Sequence, residues 1–363
     1  MKVLHISSEP EWRGGEQQLA YLVDELYKNN VQQWILCLEG SSLHNYCKKK
    51  HLAHFTFSKG FLHQMRTAKQ VKAICKKHTI ELIHIHDSHA HNFAILAADI
   101  FFNSTPLVLS RKVVFPISRN WFSKYKYNHK KIQAIICVSE AVKNILSDNI
   151  RNKSKLCTIY DCVDLHSFKG GGSGVLRKQY NISENDLIIG NIAALASEKD
   201  HITFINTAEM LINKGLKTRF ILVGTGNEKN PLESFVKQKG LSDKIIFHGF
   251  TLDISAVLRD FDIFLFTSRK EGLGSIILAS FAARVPVVAT QTGGIPELVK
   301  HNETGLLAPI GDSIRLTENI ISLIGSPELK GKIVANAYTF VQQFSKEAIS
   351  KQVLDVYNEI TIK

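Results

Sequence analysis

Phe261-Asp262-Ile263-Phe264-Leu265-Phe266-Thr267-Ser268-Arg269-Lys270-Glu271-Gly272-Leu273-Gly274-Ser275 is the stretch whose reading decides the fold. An apolar run over 261–266 reads as a strand buried on both faces. A polar loop with two glycines follows, and the periodicity of 275–283 then reads as a helix leading into another apolar run at 286–289. A strand, a tight glycine turn, a helix and a second strand make one right-handed crossover between parallel strands. Working outward, the same alternation recurs. Before the linker, strands are expected at 3–7, 34–38, 82–86, 107–110, 135–138 and 156–160, with helices at 16–28, 65–77, 90–100 and 140–148. After it, strands are expected at 187–192, 219–223 and 244–247, a helix at 201–213, and closing helices at 316–324, 327–340 and 346–360. The fold class is therefore α/β, with two doubly wound, Rossmann-like domains in tandem. At 363 residues the chain is long enough for two such cores. The most linker-like stretch is Lys169-Gly170-Gly171-Gly172-Ser173-Gly174. It places a first domain at 1–168, a linker at 169–176 and a second domain at 177–344.

Composition excludes several classes. There is no run of 18 or more apolar residues, so no membrane-spanning helix is expected, and the first residues, MKVLHISSEP, do not read as a secretion signal. A cytoplasmic location is expected. The six cysteines form no CxxC pair and no zinc spacing, so reduced, buried thiols are expected. The formal charge of +12 is lopsided. Residues 1–174 carry 24 Lys/Arg against 13 Asp/Glu, a net +11, which leaves +1 for the rest. A basic half suggests an anionic partner, and in the absence of a nucleic-acid motif the inner face of a cell membrane is preferred to nucleic acid.

The chemistry-bearing residues fall in loops after strands, where doubly wound sheets bind ligands. Gly14-Gly15-Glu16 opens a helix whose free N–H groups suit a phosphate. His84, His86 and Asp87 leave a strand end together, with His89 and His91 close behind. Strand alternation puts His84 and His86 on one face, and neither cysteine nor a second carboxylate completes a zinc set, so polar site lining is expected and no metal. Arg111 ends another strand. In the second half Lys199 follows a strand and precedes a helix, which suits a diphosphate. Gly224 and Gly226 either admit a ligand or serve a tight turn. Glu271, Gly272, Leu273, Gly274 and Ser275 place a carboxylate and exposed backbone at a helix start.

In this order, Gly14-Gly15-Glu16, His84-Ile85-His86, Val138-Ser139-Glu140, Val163-Asp164, Glu198-Lys199, Gly224-Thr225-Gly226, Glu271-Gly272-Leu273-Gly274, Gly293-Gly294-Ile295-Pro296-Glu297 and Thr304-Gly305-Leu306-Leu307 resemble the retaining GT-B glycosyltransferases of family 4. The resemblance runs essentially the length of the chain. It implies two domains facing each other across a cleft, with the final helix (within 345–363) returning to the first domain. It also implies a UDP- or GDP-linked sugar as donor, a glycan or lipid-linked acceptor, retention of configuration and no metal or other cofactor. Bacterial surface polysaccharide or lipopolysaccharide synthesis would be the setting. Carried over by position, Lys199 would meet the donor diphosphate, and Glu271 the sugar hydroxyls. Gly14, Gly15, Gly224, Gly226 and residues 272–275 would surround the donor. His86 would join the catalytic group, with Glu16, His84, Asp87 and Arg111 on the acceptor side. Three positions depart from the family pattern. Ala279 stands where a second acid usually meets the nucleotide ribose, Ala193-Ala194-Leu195 lacks a usual arginine, and Ser110-Arg111 replaces a usual histidine. A nucleotide-sugar-binding protein with little transfer, and a nucleotide-sugar epimerase of the same fold, are the alternatives.

Overall fold

The structure, a computed structural model, describes residues 1–60, 62–118, 120–170 and 174–362. It divides into two compact units, Met1–Cys162 with Lys346–Lys363, and Val163–Ser345. In the first unit the chain runs β1 (Lys2–Ser7), α1 (Gly14–Lys28), β2 (Gln32–Leu38), α2 (Ser42–Lys49), β3 (His54–Phe57), α3 (His63–His78) and β4 (Leu82–Ile85). It continues through α4 (Ser88–Asp99), β5 (Leu107–Arg111), α5 (Trp121–Tyr127), β6 (Ile132–Cys137), α6 (Glu140–Ser147) and β7 (Leu156–Thr158). The seven strands are all parallel in the order β3-β2-β1-β4-β5-β6-β7. Helices cover both faces, so β4 is buried at every residue and reads as a continuous apolar run interrupted only by His84. α1 turns Leu19, Leu22, Val23 and Leu26 inward at helical spacing.

The second unit holds α7 (Val175–Tyr180), β8 (Leu187–Ile192), α8 (His201–Asn213), β9 (Thr218–Val223), α9 (Lys229–Gln238), β10 (Ile245–Gly249) and α10 (Ile254–Leu258). Then follow β11 (Ile263–Phe266), α11 (Ile276–Ala282), β12 (Val287–Thr290), α12 (Ile295–Leu298), β13 (Leu306–Ala308), α13 (Ser313–Gly325) and α14 (Pro327–Val341). Its six parallel strands are ordered β10-β9-β8-β11-β12-β13. Phe204, Phe220, Leu222, Ile263 and Leu265 centre one core between this sheet and its helices. Both units are therefore Rossmann-like, as the alternation of apolar runs and amphipathic stretches requires.

The expected linker ends earlier than its composition suggests. Gly171, Gly172 and Ser173 lie outside the described residues, but α7 begins at Val175. Asp260 fixes that start by accepting from Gly174 N (2.7 Å) and Leu176 N (2.6 Å). The last helix, α15 (Lys346–Thr361), belongs to the first unit. It buries Ile349, Val353 and Tyr357, and the Tyr357 hydroxyl meets His84 Nδ1 at 2.5 Å. No described helix is long and apolar enough to cross a membrane.

Candidate functional site

In each sheet the strand order reverses at one place. It does so between β1 and β4 in the first unit and between β8 and β11 in the second. Loops leaving the carboxyl ends of such neighbouring strands diverge and leave a crevice that suits ligands. Nearly all the residues singled out above lie at these two places.

In the second unit, Lys199 ends a short 3-10 turn between β8 and α8, and Glu271 lies between β11 and α11. Lys199 Nζ and Glu271 Oε2 are 2.5 Å apart, and Ser268 Oγ also donates to that oxygen (3.3 Å). Beside them Arg269 Nε pairs with Asp200 Oδ2 at 2.8 Å, while Arg269 N donates to Glu198 O. Two cations and two carboxylates thus sit together at the switch point. Arg269 thus lies in the same loop cluster as Lys199, whereas Arg219 sits at the start of β9 and pairs with Asp186 (3.6 Å) at the opposite end of the sheet.

The glycines separate into two kinds. Gly224 has φ +138°, and a Cβ there would lie 2.0 Å from Ala193 O; at Gly226 it would lie 2.2 Å from Leu195 O. These two glycines let the loops after β8 and β9 press backbone on backbone, so the turn explains them without a ligand. Gly274, at φ +84°, is likewise confined by Ile277, Phe266 and Glu271. Gly272 and Leu273 are buried beside it, and Ser275 stands immediately before the seven residues of α11. Ala279, half-buried, is on that helix. Gly14 and Gly15 form the first turn of α1, and a Cβ on Gly15 would meet nothing within 4 Å. Nothing in the fold demands a glycine at 15, so a methyl group there tests for an approaching ligand. Gly15→Ala is expected to keep or raise stability by up to ~1 kcal/mol, since alanine is the better helix former. It is also expected to lower turnover about fivefold, by roughly 1 kcal/mol of lost ligand contact. Thermal unfolding and steady-state rates check this together.

At the switch point of the first unit, Asp87 is the organiser. Its Oδ1 accepts from His89 N and Ala90 N (both 2.9 Å), capping α4, and from Ser8 Oγ (2.6 Å); its Oδ2 accepts from Ser8 N (2.6 Å). Both oxygens serve to tie the loop after β1 to the start of α4. Glu16 is buried at the first turn of α1, accepting from Ser7 Oγ and Arg13 N (both 3.3 Å), and burial pushes its carboxyl up to about 7. Arg111 holds the segment after β5, bonding Tyr127 OH (2.8 Å) and Phe115 O.

His84, expected among the site-lining residues, is 1% exposed; it sits between Tyr357 OH and Ser110 Oγ (2.8 Å), which ties α15 to β4, and it borders a cavity. His86 is half-buried at the strand end, its backbone N–H bonded to Ile6 O. A third imidazole, absent from the reading of the sequence, joins them. His5 on β1 lies with its Nδ1 3.1 Å from His86 Nε2 and its Nε2 3.1 Å from Gln33 Oε1. One nitrogen of each of the three rings lies within 4.8 Å of the others, near enough for one cation. Five of the six ring nitrogens are already hydrogen-bonded, however, and no carboxylate belongs to the set. Burial holds all three well on the neutral side, His5 down to about 4. A cavity of about 50 Å³ adjoins His84, His86, Ser110 and Lys112 and is also lined by Ile349, Ser350 and Val353 of α15.

Residues 12–167 match the family described as Glycosyltransferase Family 4, and residues 174–340 match Glycosyl transferases group 1. The chain belongs to these GT-B glycosyltransferases. The transferase is 23% identical over 304 residues to N-acetyl-alpha-D-glucosaminyl L-malate synthase of Bacillus anthracis, covering 82% of this chain and 80% of that one. It is 23% identical over 241 residues to the capsular polysaccharide biosynthesis glycosyltransferase CapM of Staphylococcus aureus, covering 62% and 61%. Its fold matches that of Anabaena HepE, solved in complex with UDP and glucose. The TM-score is 0.87 at 22% identity, over 99% of this chain and 100% of that one. The transferase therefore carries its two switch-point clusters on a fold shared with a nucleotide-binding neighbour.

Proposed function

We propose that the chain transfers a hexose from a UDP- or GDP-linked sugar to a glycan or lipid-linked acceptor, with retention of configuration and without a metal. The second unit would hold the donor and the first the acceptor. The observation that carries this is the Lys199–Glu271 pair with Arg269 beside it at the β8/β11 switch point. In use, Lys199 exchanges Glu271 for the donor diphosphate, and the released carboxylate takes up sugar hydroxyls. The Ser268 hydroxyl beside the pair is engaged with Glu271 Oε2 (3.3 Å), and the proposed route is one in which the departing diphosphate accepts the acceptor's proton. The protein then contributes positioning and charge stabilisation.

The family relationship to CapM supports a role in bacterial surface polysaccharide or lipopolysaccharide synthesis. A lipid-linked acceptor fits a cytoplasmic protein resting on the inner face of the cell membrane. Between Asp99 and Glu140 the sequence has seven Lys/Arg and no carboxylate, and Phe115, Trp121 and Tyr125 are exposed within it. Nucleic acid is not proposed as a partner.

Calorimetric titration of UDP and GDP into the wild type and Ala279→Glu tests the donor assignment. One nucleotide is expected to bind at micromolar Kd. The variant is expected to bind it about tenfold tighter, since a carboxylate bonded to ribose hydroxyls contributes roughly 1.5 kcal/mol. Binding of neither nucleotide to either protein overturns the assignment.

A further inference from the structure

The cluster on the first sheet contains a hydrogen-bond chain whose direction can be worked out from its far end. Gln33 Nε2 donates to the carbonyl of Val23 at 3.0 Å. A carbonyl only accepts, so this bond fixes which end of the Gln33 amide is nitrogen, and its Oε1 must point at His5 Nε2, 3.1 Å away. An amide oxygen also only accepts, so His5 carries its proton on Nε2. His5 is wholly buried and neutral, which leaves Nδ1 as a bare lone pair. That lone pair faces His86 Nε2 at 3.1 Å, and the contact is a hydrogen bond only if His86 is the donor. His86 is neutral in its turn, so its remaining nitrogen, Nδ1, is unprotonated. Among the described residues His86 Nδ1 has no hydrogen-bond partner, and the ring borders the cavity beside Ser110 and Lys112. The neighbouring His84 lacks such a fixed end, because both of its partners are hydroxyls that either donate or accept.

We propose that Gln33 and His5 are positioning residues that hold His86 as the Nε2–H tautomer, so that its Nδ1 offers a lone pair to a hydroxyl of the substrate. This rests on the acceptor-side reading of His86 given above. The lone pair receives an O–H and orients that oxygen; no proton is removed. The topology makes the arrangement rigid. His5 and His84 are register partners on the hydrogen-bonded strands β1 and β4, and Gln33 is on β2, on the other side of β1. Three adjacent parallel strands thus align an amide and two imidazoles across the sheet toward its carboxyl end.

Two measurements on the full chain test the proposal. In protein labelled with 15N-histidine, long-range proton–nitrogen correlations report which ring nitrogen of each neutral imidazole carries hydrogen, with His5→Asn and His86→Gln supplying the assignments. His86 is expected with its proton on Nε2 in the wild type, and as a mixture of tautomers in Gln33→Leu, where His5 is free to turn its donor toward His86. A wild-type His86 protonated on Nδ1 overturns the proposal. In kinetics, His5→Leu is expected to lower kcat about tenfold, the loss of one oriented hydrogen bond, with KM for the donor changed less than about twofold. His5→Asn places an amide oxygen where Nδ1 was and is expected to recover most of that loss. Equal rates in the two variants overturn it, and if His5→Leu does not fold, the spectra decide. A protein that shows the expected tautomer yet transfers no sugar supports the relay and refutes the transfer reaction assigned to the site.

Discussion

Lys199→Ala is expected to lower turnover at least tenfold, and ~100-fold if the lysine acts like one oriented donor to a developing oxyanion. The wild-type geometry sets the expectation. Lys199 Nζ is 2.5 Å from Glu271 Oε2, both side chains are largely covered, and Phe266 lies under the ammonium at 5.7 Å. Removing the amine takes away a cation and leaves the Glu271 carboxylate at the mouth of the same crevice, where it repels a diphosphate. Donor affinity and kcat should therefore both fall. Glu271→Gln in the Lys199→Ala background should restore part of the affinity, because the repulsion is gone, but not the rate. Near-normal turnover in Lys199→Ala would remove the residue from the mechanism and leave the pair as a structural tie between the loops after β8 and β11.

The second large effect is on stability and depends on pH. The Glu16 carboxyl is raised by burial from its ordinary 4.5 to about 7, with Glu9 adding to the rise and Ser7 opposing it. Below pH 4.5 the group is protonated folded or unfolded and contributes nothing unfavourable. As pH climbs past 4.5 the unfolded chain ionises this carboxyl while the folded chain keeps it protonated until about 7, which favours unfolding. The first unit thus loses up to about 3 kcal/mol between pH 4.5 and 7.5. Glu16→Gln keeps the shape without the charge. It is expected to match the wild type at pH 4.5 and to exceed it by about that amount at pH 8, in urea unfolding followed at both pH values. An equal difference at the two pH values would mean that the substitution acts through packing alone.

The fold was legible wherever the chain is buried on both sides. β1, β2, β4, β8, β9 and β11 are apolar runs of four to seven residues, and the loops between them carry glycine or a capping residue. What escaped notice is short or half-covered. β3, His54–Phe57, has one fully buried residue, and β13 has three residues in all. α9 has only Leu232 and Val236 turned inward and a proline at its third position, so its period is faint. α5 is seven residues long with Trp121 76% exposed, a pattern set by what it leaves uncovered. The site followed the same rule. Lys199, Glu271 and His86 were singled out because each follows a strand, and Gly14 and Gly15 because they open the helix after one. His5 was passed over because it looks like one polar residue in a core strand. Its meaning depends on β1 lying beside β4, a pairing across 79 residues of chain that no local pattern reports.

The placement of α15 has a consequence for the order of manufacture. Residues 163–345 are contiguous and leave the ribosome ready to collapse as a unit, whereas the first unit, begun earliest, still lacks the helix that supplies Ile349, Val353 and Tyr357. Until α15 arrives, His84 is without one of its two hydroxyl partners and the cavity beside it lacks the wall that Ile349, Ser350 and Val353 supply. The half of the protein translated first is therefore the half whose last element is made last, and a chain truncated after residue 345 would hold every residue of the second unit but leave the first without α15.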